Sequence, residues 1–486
     1  MKTRNLFLSL FAFAAVCACN KEEVQGTPEV LDADTYVKVN IMATPATKVN
    51  EVGLDAENAV YNGLFLFYTG EGVAVEASGF SWENGTDGNV AKYATVKFPA
   101  KTTKPTSMLV ILNYDSDQEA NYRAATLSEI KDLVSKSYSI QVGSPAITYY
   151  TMTNSVYTED SANSSDDEAV ICEVSLIDAN FGKADAENGT ADAPTPVNVY
   201  VERVAAKVLL VNSIASTTTS TIDYDDNPST VVTPVIIGYD VVETPNKGNL
   251  FKAVDPSWDF SGWTVPASYR SYWAETPALT DSKDYVNGDY DYKDYKSFTQ
   301  NINPIYLFEN TSATTTKVVL TAKLQIGGVD ADIVRYNNTY YSMDDFKTLA
   351  ATAVNTICGT SYTGTEFNPV YGDAASLDNN YEIILKHSTD SEANNVLKNM
   401  TALYWNQGRC YYYTDIMHDI PNQAGVVRNH VYKLTFNSLK GMGIPVPHED
   451  VIIDPENLDD EYYSLNATVN ILQWKVVTQN VSFDNN

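Results

Sequence analysis

Cysteine, histidine and positive charge are all scarce in this chain of 486 residues, and each shortage removes a class of function. Of the five cysteines, Cys17 and Cys19 lie at the extreme amino terminus. Cys172, Cys358 and Cys410 remain, an odd set without paired spacing, so neither a disulfide framework nor a zinc site follows. His387, His418, His430 and His448 are scattered, which suits surface or hydrogen-bonded core positions better than a metal centre. Lys and Arg total 32 against 62 Asp and Glu, a net charge of -30, which argues against nucleic acid as a partner and against a basic membrane-binding face. After Asn20 no apolar run is long enough to cross a bilayer.

Catalytic signatures are missing as well. There is no nucleophile elbow, zinc-protease helix or phosphate loop, and Gly441-Met-Gly443 lacks a third glycine and reads as a turn. Carboxylates are abundant, yet nothing selects two of them as a glycosidase pair. The Asp- and Tyr-rich stretch from Asp284 to Asp294 lacks the Gly and Glu offsets of a helix-loop-helix calcium site and reads as a solvated acidic loop, with structural calcium as the alternative; Asp450 to Tyr463 is a similar acidic stretch. The sequence nominates no catalytic residue, no metal ligand and no cofactor; it is not read as an enzyme.

What is present is β-forming sequence. Thirty-three tyrosines, with abundant Val and Thr, favour strands, and many short strands separated by turn signals predict a mostly β fold of sandwich type. Two candidate helices interrupt it. Thr126-Leu-Ser-Glu129 is a capping box opening a helix to about Ser137, with Leu127, Ile130 and Val134 on its buried stripe. Ser342 caps another, carrying Phe346, Leu349, Ala353 and Ile357 and ended by Gly359. A third, short helix is expected over 390–400. Val197 to Val211 reads as one strand, and Arg409–Ile416 is expected to pair with Val431–Leu439 across the turn-rich Pro421–Gly425.

The amino terminus reads as an address. Lys2 and Arg4, an apolar run from Leu6 to Val16 and small residues before a cysteine form a secretory signal over 1–18. Val16-Cys17-Ala18-Cys19 resembles a bacterial lipobox, with Cys19 as the lipidated residue and Cys17 the weaker candidate; the alternative is an ordinary secreted protein cut near Ala18. Residues 19–48 then hold a polar tether and a first strand with Val37, Val39 and Ile41 on one face, and an exposed loop from Thr44 to Glu51 contains Lys48. Two β-rich domains are expected over 49–255 and 256–465.

Residues 466–486 end the chain with period-two alternation: Ala467, Val469 and Ile471, then Leu472, Trp474 and Val476, then Val477, Val481 and Phe483. Phase slips at Ile471/Leu472 and Val476/Val477 would each be absorbed by a β-bulge. Such a strand either closes the protein's own sheet or leaves to complete a neighbour's by strand addition.

Cys410-Tyr-Tyr-Tyr413, Gly425-Val-Val-Arg-Asn-His-Val-Tyr-Lys-Leu434 and Leu439-Lys-Gly-Met-Gly-Ile444 resemble the carboxy-terminal domain of Bacteroidales fimbrial shaft subunits. Tyr200–Val208 and Trp474–Asn480 are similar to further parts of the same subunits, closest to the minor-fimbrium major subunit family within the fimbrillin superfamily. The resemblance implies two transthyretin-like sandwiches, export as a palmitoylated outer-membrane lipoprotein, and removal of an amino-terminal segment by a trypsin-like protease. Type members are cut after arginine; Lys48 is the matching basic residue here. It also implies polymerisation by donor-strand exchange into an extracellular pilus serving adhesion and biofilm. The displaced strand would be Val37, Val39 and Ile41, and the donor Val469, Ile471, Leu472, Trp474, Val476, Val477, Val481 and Phe483. Partners would be further copies, tip and anchor subunits, and host or bacterial surface ligands. The competing expectations are a tip or anchor subunit, and a glycan-binding surface lipoprotein using Trp258, Trp263 and Trp273.

Overall fold

The computed structural model describes residues 29–449 except 43–56, 58, 86–89, 156, 159–172, 184–193, 213–218, 226, 372–381, 419–423 and most of 254–303; within that last span it describes 269–270, 275–279, 284–286, 292 and 296–297. It also gives the backbone of 463–473 and 476–477. The chain is mostly β. Its first half contains strands β1 (Thr35–Met42), β2 (Gly63–Tyr68), β3 (Gly79–Asn84), β4 (Val90–Phe98), β5 (Ser107–Leu112), β6 (Met152–Asn154) and β7 (Val197–Arg203). One layer runs β3-β4-β1-β7 and the facing layer β2-β5-β6-β7. Strand β7 serves both: Val197–Tyr200 lies parallel to β1, and Val201–Arg203 lies antiparallel to β6.

The core between these layers holds Val37, Val39 and Ile41 from β1, Ala94, Val96 and Phe98 from β4, and Phe65, Phe67, Met108, Val110 and Leu112 from the opposite layer. Strands β2 and β5 are buried throughout, because their other face is covered too. There Leu64, Leu66, Leu109 and Ile111 pack with Tyr122 and Ile130 from the short helices α1 (Glu119–Ala124) and α2 (Leu127–Lys131), and with Leu250 and Phe251. A strand buried on both sides loses alternation and becomes a continuous apolar run, which explains Leu64-Phe-Leu-Phe-Tyr68.

The second sandwich comprises β8 (Ala205–Asn212), β9 (Asn227–Val242), β10 (Ile305–Phe308), β11 (Lys317–Ile326), β12 (Arg409–Asp415), β13 (His430–Gly441), β14 (Tyr463–Gln473) and β15 (Val476–Val477). One layer runs β10-β8-β13-β14-β15; the other contains β9-β11-β12 and extends to further strands that pack under helices α3 (Met343–Cys358) and α4 (Ser391–Leu397). Helix α3 begins and ends where its caps predict: the Ser342 side chain accepts from the Asp345 amide, and Gly359 turns left-handed at φ 68°.

Several expectations are corrected. Val197–Val211 is not one strand; it breaks at Val204, whose amide bonds the Thr151 carbonyl, and its two parts enter different sandwiches. Strands β8 and β9 pair with partners from the carboxy-terminal half, while Gly248–Asn249, later in the chain, pairs back with Val134–Ser135. Strands β12 and β13 do not pair. They lie in opposite layers and meet through their side chains, because Val426 is drawn to Asn310 by paired backbone hydrogen bonds that carry the chain across. The capping box at Thr126 forms with Glu129, but α2 stops at Lys131, since Val134–Ser135 is taken into a strand pair with Gly248–Asn249; Val134 is exposed, not buried.

Candidate functional site

Val37, Val39 and Ile41 face the core of the first sandwich and are essentially inaccessible, while Lys38 and Asn40 on the alternate face are half-exposed. Both edges of β1 are used. Along one edge it is antiparallel to β4 over its whole length, from Thr35 opposite Phe98 to Met42 opposite Val90. Along the other, Thr35–Val37 pairs with Phe181–Lys183 and Val39–Met42 with Val197–Tyr200. The strand therefore fills a slot inside a layer. Gly182 shapes one wall: a Cβ there would lie 2.9 Å from the Tyr36 ring and 2.7 Å from Pro194, so only glycine lets Tyr36 lie across it.

The approach to the slot is fastened at the surface. Leu31 is buried and exchanges backbone bonds with Lys101 and Thr102, and the Asp34 carboxylate accepts from the Ala100 amide. Lys104 bonds Glu29 at 2.8 Å and Asp178, and these two carboxylates raise its pKa.

The tail lies elsewhere. Strand β14 is antiparallel to β13, from Tyr463 opposite Gly441 to Gln473 opposite His430, with one irregularity between Phe436 and Ser438. Val469, Ile471 and Leu472 stand opposite Leu434, Tyr432 and Val431 in this register. The expected unbroken strand is corrected: Val476–Val477 returns antiparallel to Ile471–Leu472, so the two doubled apolar positions face one another across a reversal rather than being absorbed by bulges. On its outer edge Tyr463–Asn470 has no strand neighbour among the described residues. The expected site residues on β1 are thus brought together in the first sandwich, and the described residues of the expected donor lie on the two outermost strands of one layer of the second. Cys19, Lys48, Trp474, Val481 and Phe483, with Trp258, Trp263 and Trp273, lie outside the described residues.

Between the sandwiches lies a buried charge network that sequence reading missed. Arg428 and Glu309 are wholly buried as a pair, and the same guanidinium donates to the Asn249 and Leu250 carbonyls. Lys252 pairs with Glu202 at 3.1 Å, both nearly inaccessible. Burial lowers the Lys252 pKa, opposed by Glu202 and Glu309. Glu57 accepts from Lys207 at 2.7 Å and from the Tyr306 hydroxyl, while its carbonyl accepts from Arg203 Nε at 2.9 Å. Burial brings Arg203 down to about 10. The available signal was charge inside apolar strand sequence: Glu202, Arg203 and Lys207 interrupt a run that otherwise reads as core. Among the described residues no group of His, Cys, Asp and Glu is arranged to hold a metal, and no helix is long and apolar enough to cross a membrane.

Residues 403–480, spanning β12 to β15, match the family model of the major fimbrial subunit protein type IV, fimbrillin, carboxy-terminal region. The fimbrillin resemblance is borne out there. No curated protein matches the chain. Among solved structures, a candidate cell adhesion protein from Bacteroides eggerthii is similar at 11% identity and TM-score 0.41, covering 92% of this chain and 98% of that one. A candidate cell adhesion protein from Parabacteroides distasonis is similar at 14% identity and TM-score 0.39, with coverage of 92% and 98%. The carboxy-terminally truncated tip fimbrial protein Mfa3 from Porphyromonas gingivalis is similar at 12% identity and TM-score 0.34, with coverage of 90% and 99%.

Proposed function

From a chain that carries a fimbrillin carboxy-terminal region, we propose a structural subunit of a cell-surface fimbrium, a shaft component assembled by strand exchange. The subunit is exported as a lipoprotein held through Cys19 and is cut after Lys48. The observation that carries this reading is β1, an inner strand with apolar side chains on one face and ladders on both edges, joined to the rest of the chain downstream only through the segment containing Lys48. Removing it leaves unpaired backbone on β4 and β7 and an apolar slot, a template for another strand.

The tail of a second copy suits that slot by composition. Val37, Val39 and Ile41 contribute about 5–9 kcal/mol at roughly 1.5–3 kcal/mol per buried side chain, whereas Val469, one of Ile471/Leu472, Trp474, one of Val476/Val477, Val481 and Phe483 offer about 9–18 kcal/mol, all upper estimates. Strands β14 and β15 are the outermost pair of their sheet, so the tail leaves by giving up the single ladder between β13 and β14. While β1 stays covalently attached, its effective concentration keeps the slot filled. Cleavage is therefore the assembly switch, and the lipid departs with the fragment. Head-to-tail contacts that do not close into a ring build a filament.

The test is to treat the purified full-length chain with a trypsin-like protease and image the product by electron microscopy. Filaments are expected, and deletion of residues 466–486 is expected to leave folded monomers that no longer polymerise. Persistent monomers from the intact chain, or filaments from the truncated one, would refute the exchange.

A further inference from the structure

Glu57 is the first described residue after β1, and it reaches both sandwiches at once. Its carbonyl accepts from Arg203, the last residue of β7 in the first sandwich. Its carboxylate accepts from Lys207 on β8 and from Tyr306 on β10, both in the second. The residue is 2% exposed and the Lys207 side chain 9%, so the pairing is shielded from solvent. Aromatic rings close the site: the Tyr306 ring centroid lies 4.4 Å from that of Tyr150, from the first half, and the Lys207 ammonium sits 5.8 Å from the Tyr306 ring. Tyr138, from the first half, donates to the Tyr306 carbonyl at 2.9 Å and packs edge-on against Phe308.

We propose that Glu57 is a pin joining the two sandwiches, which fixes their relative placement and holds the chain just beyond the exchangeable strand when that strand is gone. Its contacts are polar and partner-specific, and none of them involves β1. A buried acid bonded to a lysine and a tyrosine cannot be exchanged for water without leaving Lys207 as an uncompensated buried charge. Loss of β1 opens the slot between β4 and β7, whereas the pin acts at the far end of β7, at Arg203 and beyond. The strand can then be replaced without the two sandwiches drifting apart, which a fibre under tension requires. This consequence rests on the exchange reading; the pin itself does not.

Hydrogen exchange on the unprocessed full-length chain separates the two. In Glu57→Gln, amides of 203–207 and 305–308 are expected to exchange at least tenfold faster, with Tyr36–Ile41 unchanged. Adding Lys207→Met, which removes the stranded charge, is expected to restore most of the protection; this double variant carries the test if the single one fails to fold. Unchanged exchange at 203–207 in Glu57→Gln, equal loosening of 36–41, or no recovery in the double variant would overturn the proposal. Failure of the chain to form filaments would refute the exchange reading and leave these hydrogen-exchange outcomes for the pin unchanged. Where the strand is removed, residues 59–62 are expected to stay protected in the wild type and to lose protection in Glu57→Gln.

Discussion

The slot of β1 and the joint between the sandwiches are both buried, yet they are made of opposite materials. The slot is lined by Ala94, Val96, Phe98, Val197 and Val199 and closed by backbone ladders. The joint is built from Arg428, Glu309, Lys252, Glu202, Arg203, Glu57 and Lys207. Apolar burial is non-directional and a ladder reads no side chain, so a slot of this kind selects its occupant less strictly than an ion pair does. A buried ion pair accepts one partner in one geometry, and its cost falls on whoever removes half of it. On the proposed exchange, the tolerant interface lies where a substitute strand would enter and the intolerant one lies at the joint that would stay in place.

The largest expected effect comes from breaking the intolerant side. Arg428→Met leaves Glu309 buried without its cation and frees the Asn249 and Leu250 carbonyls, at a cost of about 3–5 kcal/mol. Arg428→Met with Glu309→Leu should recover a large part of that loss. Chemical denaturation of both variants checks it; a single variant within about 1 kcal/mol of wild type would mean the pair does not hold the joint.

A smaller effect is expected in the tolerant slot, and it should vanish on processing. Ile41→Ala empties a fully buried site and should destabilise the intact chain by about 2–4 kcal/mol, while Ile41→Val costs about 1 kcal/mol. After cleavage and strand replacement the substituted residue is gone, so assembled material from wild type and Ile41→Ala should melt alike. A persisting difference in the filaments would show that β1 had stayed in place.

The slot was more legible in the sequence than the joint. Val37, Val39 and Ile41 announce a core face through period two, and that face depends only on neighbours along the chain. Thr126 with Glu129, and Ser342 with Gly359, mark helix ends for the same local reason. Partner choice is not written locally. Nothing in Tyr200–Val211 marks Val204 as the point where one strand changes sandwich, because residues on both sides of it are buried. Strands β12 and β13 look like a hairpin from their spacing, yet the connection passes Asn310 and lands in the other layer. Glu57 follows the alternating Val52, Leu54 and Ala56, a pattern that says nothing of its partners. Its role comes from Arg203, Lys207 and Tyr306, between about 146 and 249 residues away.

The joint also sets a response to pH, the smallest of the three effects. His418 is buried beside His430, with ring centroids 5.3 Å apart. Tyr432 accepts from the Val427 amide, and its hydroxyl lies 2.9 Å from His418 Nδ1, where the imidazole tautomer decides which group donates. Burial first, then the charges of His430 and Lys252, hold the His418 pKa well below its ordinary value. An unfolded His418 takes up a proton near pH 6.5, and the folded one does not. The stability from keeping it neutral is therefore complete above about pH 6.5 and is lost as the pH falls, by at most about 1.4 kcal/mol per unit, until the folded pKa is reached. The net charge of -30 acts in the opposite sense, since acid relieves its repulsion, so the difference between two proteins is the informative quantity. Relative to His418→Gln, the wild type should lose stability between pH 6.5 and 5.5 in denaturant titrations; parallel curves would mean that His418 titrates freely in the folded chain.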